Sequence, residues 1–87
     1  MDINTLRKQI DEEDENLIKS LEKRFHIVKK IGEIKKQLQV SIEDKERFEE
    51  VLRSRKEMAK KMGISEEFIN KLFNLIHDEA VDIEEKQ

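Results

Sequence analysis

Residues 1–38, MDINTLRKQIDEEDENLIKSLEKRFHIVKKIGEIKKQL, decide the fold. Ile3, Ile10, Leu17, Ile31 and Leu38 fall on a seven-residue grid, and Leu6, Leu21, Ile27, Val28 and Ile34 fill the adjoining positions. This is the stripe of an amphipathic helix, whereas a strand would alternate with period two. No Pro interrupts the stretch, and Gly32 costs it only about 1 kcal/mol. At about 1.5 Å per residue such a helix runs roughly 55 Å. Residues 39–87 are too few to cover a stripe of that length, so a second copy of the chain is the simplest cover.

Gln39-Val40-Ser41-Ile42 reads as a connection, with Ser41 and Asp44 spaced like a capping box. A second helix is expected over about residues 42–62, with the stripe Phe48, Val51, Leu52, Met58 and Met62 and with Gly63 as its stop. Ser65 followed by Glu66 and Glu67 makes a good N-cap with an acidic first turn. The third helix then carries Phe68, Ile69, Leu72, Phe73, Ile76, Ala80 and Ile83. The expected fold is therefore all-α, a single domain over residues 1–87 with one long and two medium helices, paired as an intertwined homodimer.

Composition narrows the function. With 87 residues there is one domain at most, and a lone chain of this size has a marginal core. The absence of Cys excludes thiolate chemistry, disulfides and Cys-based zinc sites. A net charge of −3, from 18 basic and 21 acidic residues, gives no general field favouring nucleic acid or anionic lipid. No apolar run approaches the ~20 residues that span a bilayer, and the start lacks a secretory pattern, so a cytoplasmic location is expected. Phe48, Phe68 and Phe73 read as core, and His26 and His77 as surface or satisfied histidines without metal-ligand spacing.

Several charges fall on the apolar faces. Arg24 takes the seven-step slot between Leu17 and Ile31, and Arg7, Asp14 and Lys35 share the row of Leu21 and Val28. Arg47 lies one turn before Val51, and Glu84 one turn after Ala80. Buried unpaired cations are expensive, so several turned into one bundle point to an anion between them. Arg24 and Lys35 are eleven residues apart, about 16 Å along one face. Arg7 is 28 residues from Lys35, about 42 Å, and joins it only from an antiparallel partner helix. Other readings stay open here: Arg24 as a register-fixing interhelical bridge, Arg7 and Lys35 as snorkelling side chains, and Asp44 as a helix cap. No nucleophile–base pair is visible, so any chemistry is electrostatic.

The motifs resemble the small all-helical chorismate mutase family. Leu6-Arg7-Lys8-Gln9-Ile10-Asp11 with Asp14, Lys23-Arg24, Ile31-Gly32-Glu33-Ile34-Lys35, Asp44-Lys45-Glu46-Arg47 and the run from Phe68 to Ile76 follow the family's order and spacing. The resemblance implies an intertwined dimer that converts chorismate, a small dicarboxylate, to prephenate by an intramolecular Claisen rearrangement, with no cofactor or metal. It implies that Arg24 and the partner's copy of Arg7 bind carboxylates, that Lys35 and Glu84 meet the ether oxygen, and that Arg47 adds positive field. Asp44 would accept from the ring hydroxyl. Two positions depart from the family pattern: Phe48 stands where the family usually has Glu, and Ala80 where it has Ser. Isochorismate–pyruvate lyases of the same fold are often apolar at the Phe48 position. That lyase, an aminodeoxychorismate mutase, and a non-enzymatic helical dimerisation module are the alternatives.

Overall fold

The computed structural model describes residues 2–87. It contains α1 (Ile3–Leu38), α2 (Lys45–Lys61) and α3 (Glu66–Glu85), an all-α chain. Asp2 caps α1 by accepting from the Thr5 N–H at 2.7 Å. At the other end Lys35 and Lys36 sit in the last turn, where cations complement the helix dipole. Gln39 then takes the left-handed conformation at φ 56°, unusual for a residue with a Cβ.

The second helix starts later than residue 42. Asp44, not Ser41, is its cap, accepting from the Arg47 N–H at 3.0 Å, while the Ser41 hydroxyl donates to the Glu43 carbonyl. The reason is tertiary: Lys35 Nζ donates to the Ile42 carbonyl at 2.6 Å and holds the segment outside the helix. The end of α2 follows the sequence. Gly63 adopts φ 72°, its N–H donates to the Lys60 carbonyl, and the Ile64 N–H donates to that of Ala59. This is a Schellman closure, which wants glycine at the left-handed position. Ser65 caps α3 through the Phe68 N–H at 3.1 Å.

α3 packs against both other helices, whereas α1 and α2 make no close backbone contact with each other. The small core comes from Val28 and Gly32 of α1, Val51 and Ala59 of α2, and Ile76 and Ala80 of α3. Gly32 is required by close approach rather than by helix chemistry. A Cβ there would stand 2.9 Å from Glu84 Cα. Phe68, Met58 and Met62, expected inside, lie on outward faces of this chain and are exposed.

Most of the α1 stripe is uncovered, with Ile3, Ile10 and Leu17 each more than half exposed. The chain presents 7363 Å² to solvent, against about 5,400 Å² for a compact monomer of this mass. Its radius of gyration is 16.1 Å, against about 12 Å for a compact chain of this length. The 55 Å long axis matches α1 itself, an unbroken rod of which only the C-terminal half meets its own chain. No helix among the described residues is long and apolar enough to cross a membrane.

Candidate active site

Because α1 and α2 stand apart over α3, a cleft of about 290 Å³ opens between them. Arg24, Val28, Ile31 and Lys35 form its α1 wall, and Asp44, Arg47, Phe48 and Val51 its opposite wall. Phe73, His77, Ala80 and Glu84 form the floor. Of the charges singled out on the apolar faces, Arg24, Lys35, Arg47 and Glu84 are thus brought to one place, with Asp44, Phe48 and Ala80, whereas Arg7 and Asp14 are not. Arg7 is exposed on the uncovered half of α1 and cannot reach the cleft of its own chain.

Lys35 is the best-fixed cation. Its ammonium donates to the Ile42 carbonyl at 2.6 Å and pairs with Glu84 Oε1 at 2.8 Å. An ammonium has three N–H bonds, so one remains for a ligand. The Glu84 side chain is nearly buried, held where α3 presses on Gly32.

Arg24 has no carboxylate in ion-pair range among the described residues. Its guanidinium lies 5.9 Å over the Phe73 ring, a cation–π distance. Burial pushes its pKa below the usual arginine value, and Arg55 and Arg47 push the same way. A half-buried cation crowded by like charges is in surroundings that favour a nearby negative charge.

Asp44 uses Oδ1 as the α2 cap while lining the cleft, so the cap and ligand readings are compatible. Arg47 Nη1 pairs with Glu50 at 2.6 Å on the surface, a contact worth little once solvent-screened. Phe48 turns its ring to the cleft and stacks on His77, with centroids 3.9 Å apart. His77 and Phe73 were missed as cleft residues. The available signal was spacing, since both lie within two turns of Ala80 on the same face of α3.

The cleft lining has no hydroxyl or thiol side chain. It offers cations set among apolar walls, an arrangement that binds a small anion and stabilises charge developing on it.

Residues 6–85 match the chorismate mutase type II family. The chain belongs to that family. Chorismate mutase of Methanocaldococcus jannaschii is 31% identical to it over 78 residues, covering 87% of this chain and 79% of the relative. No solved structure matches the chain. The chorismate mutase match spans all three helices, from before Arg7 to beyond Glu84, and so includes every residue of the cleft.

Proposed function

We propose that the chain is a chorismate mutase, an isomerase that rearranges chorismate to prephenate. Within one molecule a C–O bond breaks as a C–C bond forms, and no proton, metal or nucleophile is needed. The requirement is to fold a flexible dianion into its reactive conformer and to stabilise negative charge growing on the ether oxygen. Lys35 carries this reading: a fixed ammonium with one uncommitted N–H, in a cleft that also holds Arg24.

In this reading Arg24 grips one substrate carboxylate, where its planar fork suits bidentate binding, and Arg47 adds field near it. Lys35 donates to the ether oxygen, with Glu84 beside it donating in its acid form. Asp44 accepts from the ring hydroxyl, and Phe48 and Ala80 shape the walls. Arg7 of a second copy closes the site. The exposed α1 stripe and the roughly 1,900 Å² of surface beyond that of a compact monomer support such a partner, since obligate dimers bury areas of this order. An antiparallel pairing crossing near residue 18 brings each Arg7 opposite residues 24–35 of the other chain. The product serves aromatic amino acid biosynthesis in the cytoplasm.

The test is chorismate consumption with product identification. Prephenate is expected. Phe48, apolar where the family usually has Glu, favours the lyase as the second reading. Salicylate and pyruvate from isochorismate, with chorismate untouched, would replace the mutase by that lyase.

A further inference from the structure

His77 has no role in the mechanism above, yet its ring lines the same cleft. It stands three residues before Ala80 and seven before Glu84, on the cleft face of α3. The imidazole lies nearly parallel to Phe48, at 15° with centroids 3.9 Å apart. Its Nε2 is 3.8 Å from Glu43 Oε1, and its side chain is only 26% exposed. The ring is therefore held in one plane at the edge of an anion site.

Charges of both signs face it. Glu43 and Asp44 on the connection favour the protonated ring by charge, and the Phe48 face favours it through the ring quadrupole. On its own helix Glu84 acts in the same sense. Arg24 and Lys35 from α1 and Arg47 from α2 oppose it. A dianion entering among those cations favours protonation.

We propose that His77 is a substrate-binding residue that joins the cationic set by taking up a proton as the dianion binds. The proposal rests on the dianion reading of the cleft. Linkage is reciprocal, so protonation of His77 tightens the substrate by the same factor that the substrate favours the proton. A charge at the cleft edge acts alike on bound substrate and transition state. It therefore moves KM and leaves kcat in place, unlike a group at the ether oxygen.

The experiment uses a bicyclic dicarboxylate that mimics the transition state. Its binding is followed by calorimetry in two buffers of different ionisation heat, on the natural sequence, His77→Gln and Glu84→Gln. Net proton uptake is expected near pH 7.5, with affinity and chorismate KM weakening about fivefold from pH 6 to 8.5. His77→Gln should lose its share of the uptake and flatten the KM profile, whereas Glu84→Gln should keep that share. As a check without mutation, the His77 ring resonances should titrate at higher pH with ligand bound, while those of exposed His26 stay put. Unchanged uptake in His77→Gln, or a His77 titration indifferent to ligand, overturns the proposal and leaves the mutase reading standing. Failure both to bind the dicarboxylate and to turn over chorismate overturns the two together.

Discussion

Lys35 Nζ and Glu84 Oε1 meet at 2.8 Å across the contact between α1 and α3, and the same ammonium reaches the Ile42 carbonyl. One side chain thus ties all three parts of the cleft together: α1, α3 and the connection that delivers Asp44. Lys35→Ala is expected to lower kcat/KM by about 10²–10³, or about 3–4 kcal/mol of transition-state stabilisation. It should also lower Tm, because Glu84 is left as a buried carboxylate without its partner. Arg24→Ala should cost as much activity but leave Tm unchanged or raise it, since a crowded, half-buried cation is removed. Steady-state kinetics and thermal melts on the two variants separate these outcomes, and near-normal turnover in either contradicts the assigned role.

Glu84 can donate to an ether oxygen only while it holds its proton. The sign follows: activity falls as pH rises through the Glu84 titration, and Glu84→Gln, which donates at every pH, flattens the kcat profile. Identical pH–rate curves for the two proteins would remove Glu84 from the chemistry.

A site that borrows Arg7 from a second chain can be rebuilt from two dead ones. Arg7→Ala and Arg24→Ala should each be nearly inactive alone. Unfolded together and refolded as a mixture, they should recover about a quarter of the natural activity, because half the dimers are mixed and each carries one intact site. No recovery, with mixed dimers demonstrated by mass, would place Arg7 outside the site.

The two glycines should behave oppositely. Gly32→Ala puts a Cβ against Glu84 Cα, so α1 and α3 must separate and the Lys35–Glu84 pair loosens. A loss of about 1–3 kcal/mol in stability together with a fall in kcat is expected. Gly63→Ala meets nothing within 4 Å but is strained at φ 72°. It should cost about 1 kcal/mol and leave kinetics alone. Chemical denaturation and kinetics on both variants test the contrast.

The Asp2 carboxyl is held below its usual range, first by the backbone N–H of Thr5. A lowered value means that the stabilisation is present above the ordinary carboxylate range and lost as pH falls through the lowered one. Asp2→Ala should therefore speed amide exchange at Thr5 at neutral pH, and the difference should vanish in acid.

How much of this was legible in the sequence depended on the range of the interaction concerned. The long helix, the Gly63 stop and the Ser65 cap rest on local periodicity and capping, and each could be read directly. Lys35, Arg24 and Glu84 stood out as charges on apolar faces, which sufficed to gather them into one cleft. The start of α2 was misjudged because a lysine side chain seven residues upstream holds the Ile42 carbonyl, a bond no local pattern signals. Phe68 was misplaced because its face of α3 has no cover within one chain. His77 was passed over because a lone histidine is usually inert, although its spacing from Ala80 puts it on the cleft face of α3.

The bare first half of α1 has a kinetic consequence. Under the proposed pairing, an isolated subunit is both poorly covered and catalytically incomplete, so folding and turnover share one bimolecular step. Below the dissociation point of the pair, the rate should scale with the square of the amount of protein present. A cell making few copies would lose activity faster than it loses molecules, and a modest rise in expression would return more than its share.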